Sequence, residues 1–573
     1  MKSILKYLKP YRFQLVVGPF FKLSEAVLEI LLPTLMALLI DNGINAGNRP
    51  YVMKMGLLML LTATAGVLFA YICQYSASIA SQGFGTDVRN AMYKKIGTLS
   101  HSQLDQLGTP SLINRITGDV NQLQLAVAML IRLVIRAPFL CVGGLVMAII
   151  LDLKLSVILM IVIPMFVLLL FLVMFRAVPL YKLVQKKLDG LTLILREHLS
   201  GVRVIRAFAR VDRERERFGE ANSDYAQTAI RVGRIAALTN PATTLLMNAA
   251  IVAVIWFGGI RVNTGSLSQG QIIAYINYIT QILNAMIVVA NLVILYTKAY
   301  ASAFRVSEVL NLEPELTGGN GGVTESSAKI EFRDVSLKYT SGADDALSGI
   351  SVSISEGETV GIIGVTGSGK SSLVGLIPRF YDATAGRVFV DGVDVKSYSL
   401  SDLRDKIGIV QQRAILFSGT VRENVKMGCP DADDSRVMEA IRTAQAEEFV
   451  AKLPLGLDTL VSQSGVNLSG GQKQRLTIAR ALIKKPEILI LDDSSSALDF
   501  KTDAALRSSI AESTENMTVL IVSQRVNTVR SADRIIVMDD GQIVGCGTHR
   551  ELLASCEIYR EICTSQEAEE EAV

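Results

Sequence analysis

The sequence is poor in the residues that build metal centres and disulfide frameworks, and it has little net charge. Its 573 residues include six cysteines and three histidines. The cysteines show no CxxC pair and no metal-ligand spacing, so we interpret them as reduced, mostly buried thiols of a cytosol-facing protein. The formal net charge is only +3, which argues against a nucleic-acid partner.

The N-terminus also lacks the pattern of a secretory leader. Residues 1–11 carry Lys2, Lys6 and Lys9 between apolar residues, but no short apolar region with a small-residue cleavage site follows them. We therefore expect no signal peptide there. An amphipathic helix lying on the cytoplasmic face of a membrane fits this pattern better.

Apolar residues are what the chain has in excess. They make up 50% of the sequence, charged residues make up 19%, and the mean hydropathy is +0.38. A chain of this length is too long for one domain. Part of it must lie in a membrane.

Long apolar stretches predict an all-α, six-helix transmembrane domain over residues 1–310. The six predicted spans lie near 13–40, 55–79, 125–151, 155–175, 244–260 and 272–295. The short loops between spans carry few charges, whereas the two long segments are rich in lysine and arginine. The positive-inside rule therefore predicts that the long segments and both termini are cytoplasmic.

Five charged residues fall within these predicted spans. Lys22, Glu25 and Glu29 share one helical face, and Arg132 and Arg136 lie together in the third span. Charges at membrane depth are costly, so they should face a protein interior or a water-filled cavity. They could form a polar wall of a substrate pathway or an ion-paired packing contact.

A Gly-rich linker, residues 311–327, separates the spans from a predicted soluble α/β domain at 328–573. This second domain contains the stretch Gly364-Val365-Thr366-Gly367-Ser368-Gly369-Lys370-Ser371, followed by Ser372. It reads as a P-loop because a short apolar strand, 359–363, precedes it and a helix follows it. Lys370 would then reach the β- and γ-phosphates and Ser371 would bind Mg²⁺. The alternative is a Gly-rich turn before a helix.

Three further features surround this motif. Tyr339 could stack on an adenine face, although an exposed loop tyrosine is also possible. An apolar strand at 487–491 ends in Asp492, which would hold Mg²⁺ through water, as in a Walker B motif; the alternative is an ordinary core strand. A Gly-rich helix start, Ser469-Gly470-Gly471-Gln472, is a potential anion site.

These motifs together resemble the ABC transporter family. The P-loop, Gln412 in IVQQRAILFSGT, LSGGQ at 468–472, LDD at 491–493 and SALD at 496–499 follow one another as in an ABC nucleotide-binding domain. The six preceding spans resemble those of an exporter half-transporter. The resemblance covers essentially the whole chain.

The resemblance implies a mechanism and a set of ligands. Two halves would dimerise and sandwich ATP between the P-loop of one half and the LSGGQ of the other. Gln412 would sense the γ-phosphate and join Ser371 and Asp492 around Mg²⁺. The segments Thr109–Gln124 and the neighbourhood of residues 210–218 would dock on the nucleotide-binding domains.

Three positions depart from the family pattern. Asp493 stands where the family usually has the glutamate that orients the attacking water, and the shorter carboxylate can cost on the order of 100-fold in rate. Gln524 stands where the family usually has a histidine, and loss of a transition-state donor typically costs about 10²–10³. Gln463 replaces a usual glutamate, which puts the coupling of this segment in doubt.

Asp493 and Gln524 together resemble the degenerate half of heterodimeric bacterial multidrug exporters. We therefore expect ATP-driven export of hydrophobic or amphipathic small molecules across the cytoplasmic membrane, with a partner chain that carries the missing glutamate and histidine. In such a pair this chain would hold ATP at a slow site and lend its LSGGQ to the partner's site. Alternatives are a lipid or peptide exporter, a slow homodimer, or a non-transporting ATP sensor or regulated channel.

Overall fold

A computed structural model describes residues 2–316, 318–319, 321–322, 325–339, 344–513 and 516–571. The chain divides into two compact units. The helical unit comprises residues 1–97 and 110–312, and the α/β unit comprises residues 98–109 and 313–573. Within the predicted linker, Thr317, Asn320, Val323 and Thr324 lie outside the described residues, as do residues 572–573 of the predicted second domain.

Long helices make up the helical unit, and its shorter pieces lie at the N-terminus and in the third hydrophobic segment. The α-helices are α1 Lys2–Leu5, α2 Arg12–Leu39, α3 Arg49–Ile96, α5 Thr109–Asn114, α6 Val120–Arg132, α7 Arg136–Leu151, α8 Leu153–Ala207, α9 Val211–Ala237, α10 Thr239–Asn263 and α11 Gln269–Asn311, and α4 His101–Leu107 belongs to the α/β unit. A 3₁₀ stretch at Lys6–Tyr11 and π stretches at Ile40–Ile44 and Arg115–Asp119 extend or join these helices.

Six continuous helical segments among the described residues are long and apolar enough to cross a membrane. They contain the predicted spans. Side-chain caps fix where several helices begin: Asp152 accepts from the Leu155 backbone at the start of α8, and Ser268 forms a capping box with Gln271 at the start of α11. Small residues such as the fully buried Ala274 let these helices approach one another closely, and the buried Tyr278 links α11 to α2 by donating to the Ile30 carbonyl at 2.8 Å.

Two larger sheets and one short strand pair are formed by the described residues of the α/β unit. The six-stranded sheet has the strand order β12-β11-β3-β10-β9-β6. The five neighbouring strands from β11 to β6 run parallel, and β12 pairs antiparallel with β11 at one edge. The second sheet, β2-β1-β4-β5, is antiparallel. The strands are β1 Ile330–Leu337, β2 Leu347–Ile354, β3 Thr359–Ile363, β4 Ala385–Val390, β5 Val393–Asp394, β6 Ile407–Val410, β7 Gly419–Thr420, β8 Leu460–Val461, β9 Ile488–Asp492, β10 Thr518–Val522, β11 Arg534–Asp539 and β12 Gln542–Gly547.

The central strands β3, β9 and β10 of the parallel sheet are almost entirely buried and form continuous apolar runs. Such runs are typical of a parallel sheet that helices cover on both faces. The helices of this unit after α4 are α12 Lys370–Leu376, α13 Leu400–Asp405, α14 Val421–Lys426, α15 Asp434–Thr443, α16 Glu447–Ala451, α17 Gly470–Leu482, α18 Phe500–Ser513, α19 Val526–Val529, α20 His549–Ser555 and α21 Glu557–Glu571. The predicted fold class, six apolar helices followed by an α/β P-loop domain, is confirmed.

The division into units bears on the segment expected to dock on the nucleotide-binding domains. Residues 110–124 of Thr109–Gln124 belong to the helical unit, and their docking stays a prediction. The segment built into the α/β unit is 98–109, directly upstream. There Gln103 donates to the Glu313 carbonyl at 2.7 Å and Tyr381 donates to Asp105 at 3.0 Å.

Candidate nucleotide-binding site

The P-loop lies between the carboxyl end of β3 and the start of α12, as the sequence predicts. Gly367 and Gly369 adopt φ values of +89° and +92°, which only glycine adopts at no cost. A side chain at Gly364 would place its Cβ 2.1 Å from the Met538 carbonyl oxygen. The glycines are therefore required by the tight turn and by the close approach of the neighbouring strand, and the loop backbone lines a cradle for phosphate.

Lys370 is buried at the first position of α12 and bends over the loop. Its Nζ donates to the carbonyl oxygens of Gly364 and Val365 at 2.9 and 2.6 Å and to the Ser368 hydroxyl at 3.2 Å. Burial lowers the pKa of Lys370 from its usual range. Because these partners are neutral, an ammonium in this place is available to a phosphate.

Ser371 and Asp492 form the part of the site suited to a divalent cation. The Ser371 hydroxyl donates to Asp492 at 2.9 Å, and Asp492 is 9% exposed at the end of β9. Burial, with a contribution from the neighbouring Asp493, raises the pKa of the Asp492 carboxyl. A hydroxyl and a carboxylate at this distance are the hard oxygen ligands that Mg²⁺ prefers, so the donor set fits the ion.

The two atypical residues lie in the same site. Asp493 adopts φ +45°, its backbone N–H donates to the Val522 carbonyl at 2.9 Å, and its carboxylate accepts from the Gln412 amide at 3.2 Å. Gln524 follows β10, and its amide oxygen accepts from the Thr366 hydroxyl at 3.3 Å. The fold thus brings both predicted catalytic positions to the P-loop.

Tyr339 borders the other side of the P-loop. It is 43% exposed, its hydroxyl lies 2.8 Å from that of Ser372, and its ring packs edge-on against Tyr381 with centroids 4.9 Å apart. A partly exposed aromatic ring beside the P-loop is suited to stacking on a planar base.

A pocket of about 290 Å³ joins these groups. Its lining residues are Tyr339, Ala346, Thr366, Gly367, Gly369, Lys370, Ser371, Ser372, Gln412, Asp492, Asp493, Val522, Ser523 and Gln524. Gly364, Val365 and Ser368 support the loop from behind, through the Lys370 contacts described above.

The LSGGQ stretch does not reach this pocket. Ser469 caps α17 in a capping box with Gln472. Gly470 and Gly471 pack against Ala497 instead, and a Cβ added at Gly471 would lie 3.0 Å from the Ala497 carbonyl oxygen. Within the part of the chain that the structure describes, residues 468–472 line no surface of the pocket. Ser469 and Gly470 are exposed, so the positive end of a thirteen-residue helix faces outward.

Sequence reasoning missed two residues that support the site. Tyr381 backs Tyr339, and Gln566 in α21 contacts the loop after β10 with both ends of its amide: it donates to the Gln524 carbonyl at 2.6 Å and accepts from the Val526 N–H at 2.8 Å. Neither residue belongs to a local motif. Only the long-range path of the chain brings them to the site.

A P-loop site on a parallel sheet, in a chain with helices of membrane-spanning length, defines a membrane protein with a P-loop nucleotide-binding domain. Comparisons with known proteins specify the family. Residues 15–286 match the ABC transporter transmembrane region, and residues 347–496 match the ABC transporter domain.

Relatives match over nearly the whole chain. The uncharacterized ABC transporter ATP-binding protein YfiB of Bacillus subtilis is 38% identical over 99% of this chain and 98% of its own length. The putative multidrug export ATP-binding/permease protein YgaD of the same organism is 32% identical over 99% of both chains. A bacterial Atm1-family ABC exporter with ATP bound shares the fold, with a TM-score of 0.80 over 97% of this chain and 98% of that one at 23% identity. The chain belongs to the ABC transporter family and is a membrane-embedded exporter with an ATPase domain.

Proposed function

We propose that this chain is one half of a heterodimeric exporter that moves amphipathic small molecules across the cytoplasmic membrane. Similarity to a putative multidrug export protein supports the substrate class. The lysine- and arginine-rich segments between the spans support a cytoplasmic location for both termini and for the α/β unit. The partner would be a second half-transporter with a complete catalytic site.

ATP would bind in the pocket of about 290 Å³ that the P-loop borders. Tyr339 would stack on the adenine, and the loop N–H groups with Lys370 would hold the phosphates. Ser371, Asp492 and Gln412 would hold Mg²⁺, which neutralises phosphate charge when bound.

The observation that carries the slow-site proposal is the pairing of Asp493 with Gln524 at one P-loop. Asp493 has the shorter acidic side chain and uses one carboxylate oxygen to accept from Gln412. Gln524 is neutral at any pH and directs its amide oxygen toward the Thr366 hydroxyl. Such a site binds nucleotide through its P-loop but is weak in activating water and in stabilising the transition state.

Ser469–Gln472 would serve the partner's nucleotide. These residues lie outside the chain's own pocket, and Ser469 and Gly470 are exposed at a helix N-terminus. An anion held by another chain can therefore approach them.

The test compares ATP turnover by this chain alone, by this chain with a partner carrying the glutamate and histidine, and by the complex with Asp493→Glu and Gln524→His in this chain. We expect slow turnover alone and fast turnover in the complex. The double variant should raise turnover at the chain's own site by about 100-fold or more, because both missing groups are restored. Fast ATP turnover by the unpaired wild-type chain would contradict the proposal.

A further inference from the structure

Charged side chains from three helical segments converge inside the helical unit. Lys22 pairs with Glu25 on α2 at 2.7 Å. Glu29, one turn further, accepts from Arg136 of α7 at 2.7 and 3.0 Å. Arg132, at the end of α6, donates to the Ser78 hydroxyl of α3 at 3.4 Å. We call these five charged residues the intramembrane cluster.

Close packing holds the backbone around this cluster. A Cβ at Gly18 of α2 would meet Ile131 of α6 at 2.3 Å and Ser76 of α3 at 3.4 Å. Cys73 of α3 points its sulfur to the Ile131 carbonyl at 3.9 Å. These contacts place Arg132 where α2, α3 and α6 meet. Lys22 lies about three turns into α2, well inside its apolar stretch.

The charges within the cluster do not balance. Lys22 and Glu25 neutralise each other, as do Arg136 and Glu29. Arg132 has no carboxylate within ion-pair distance among the described residues, and its only hydrogen bond there is the one to Ser78. The cluster therefore carries one excess positive charge.

Unused hydrogen-bond donors accompany the excess charge. The Nε atoms of Arg132 and Arg136 are both buried, and neither has a hydrogen-bond partner within the described part of the chain. Buried donors normally find a partner. A guanidinium offers several N–H groups in a fixed geometry that matches carboxylate and phosphate.

We propose that the intramembrane cluster binds the anionic headgroup, a phosphate or carboxylate, of an amphipathic molecule, and that Arg132 is its principal contact. An unbalanced cation at membrane depth is costly unless it has a partner. An amphipathic anion supplies the missing charge and the acceptors, while its tail remains among apolar helices. The cluster thus selects against amphipathic cations, because its excess charge is positive and its two carboxylates are already paired.

This inference rests on the export function but not on the unequal ATP sites. The anion could be carried by a transported molecule or by a lipid of the bilayer. Both sources share the same headgroup chemistry, so binding and transport are measured separately.

The experiment uses the full-length chain in phosphatidylcholine nanodiscs without nucleotide. Three single-chain amphipaths with equal tails are titrated, with phosphate, phosphocholine and trimethylammonium headgroups, and binding is followed by thermophoresis. We expect the phosphate compound to bind at least about tenfold more tightly than the other two, as for a charge-assisted hydrogen bond. Arg132→Ala should remove this preference, and Arg132→Lys should retain part of it.

Arg176→Ala is the matched control, because Arg176 lies exposed on α8 and should leave the preference intact. Equal binding of the three headgroups by the wild-type chain would overturn the proposal, as would a preference that survives both Arg132→Ala and Arg132→Gln in well-folded protein. Transport into inside-out vesicles then identifies the source. Flux of the phosphate compound that falls with Arg132→Ala supports a transported anion, and unchanged flux with lost binding supports a bilayer lipid. The binding result does not depend on ATP turnover, so it can fail or succeed independently of the heterodimer proposal.

Discussion

Asp493 combines a short carboxylate with an unusual backbone. Its φ of +45° is costly for most residues but tolerated by aspartate, and the hydrogen bond from its N–H to Val522 fixes it beside β10. The carboxylate is thereby held near Gln412. Asp493→Glu would therefore change the reach of an acidic group from a fixed point of the backbone.

Asp493→Gln and Ser469→Ala should differ in their effect on ATP turnover by the assembled complex. The proposed heterodimer predicts that Asp493→Gln changes turnover little, because this chain's site would contribute little hydrolysis. Ser469→Ala should cut turnover by about tenfold or more, because it would remove a donor from the partner's site. The measurement is steady-state phosphate release. The reverse ranking would contradict the assignment of the two sites.

Ser469 also caps α17, where its hydroxyl accepts from the Gln472 N–H at 3.3 Å. Loss of an N-cap costs about 1 kcal/mol of stability on its own. Ser399→Ala is the matched control, because Ser399 caps α13 in the same way at 3.2 Å from the Asp402 nitrogen and lies outside the pocket lining. Both variants should lose similar stability, but only Ser469→Ala should lose turnover.

At the scale of elements, α21 holds the loop that carries Gln524. The Gln566 side chain closes two hydrogen bonds to that loop's backbone, at 2.6 and 2.8 Å. The helix itself is anchored by Tyr559 and Cys563, which are 0% and 5% exposed. Gln566 is therefore a positioning residue for Gln524.

Gln566→Ala should loosen the loop at 523–527 and weaken ATP binding several-fold. Gln566→Glu should have an intermediate effect, because a carboxylate still accepts from Val526 but cannot donate to Gln524. Hydrogen exchange of the loop amides and equilibrium ATP binding are the measurements. Ser565→Ala, an exposed neighbour on the same helix, is the control. Unchanged loop exchange in Gln566→Ala would contradict the positioning role.

His101 gives the segment 98–109 a dependence on pH. Its ring packs on Phe380 with centroids 4.6 Å apart. Burial, assisted by the positive charge of Arg404, lowers the pKa of His101 from its usual 6.5. Folding therefore favours the neutral imidazole, and the unfolded state takes up the proton first as pH falls.

Stability of the α/β unit should accordingly be fully present above about pH 6.5 and fall as pH drops below it. His101→Phe keeps the ring contact and should flatten this part of the profile, as measured by thermal unfolding of the full-length protein from pH 8 to 5. His198→Phe, in the helical unit, is the control and should retain the acid-side loss. An identical slope in wild type and His101→Phe would show that other groups cause it.

At the scale of the whole molecule, the sequence predicts what is local. The P-loop, the strands around it and the helix after LSGGQ follow from apolar runs, glycines and caps that lie within a few residues of one another. The partners of Tyr339 and Gln524 do not, because Tyr381 and Gln566 reach them through long-range packing. The sequence shows the intramembrane charges, but only the arrangement of the helices shows which of them form ion pairs.

The segment 98–109 illustrates the same limit. The sequence analysis singles out residues 109–124, which are polar and contain Pro110 near a helix start, and it assigns no partners to the residues just upstream. In the structure Ser100 donates to Glu315 at 2.7 Å and Gln103 donates to the Glu313 carbonyl. Polarity alone does not reveal which residues of a segment find complementary partners.

The α/β unit is consequently non-contiguous, with residues 98–109 inserted from the first half of the chain. A polypeptide beginning at residue 313 would lack His101 against Phe380 and Asp105 against Tyr381, so an excised ATPase would be missing part of its own fold. In the sequence, a segment of the α/β unit thus interrupts the helical unit. Recombination at the linker would therefore not transfer a complete α/β unit from one exporter to another.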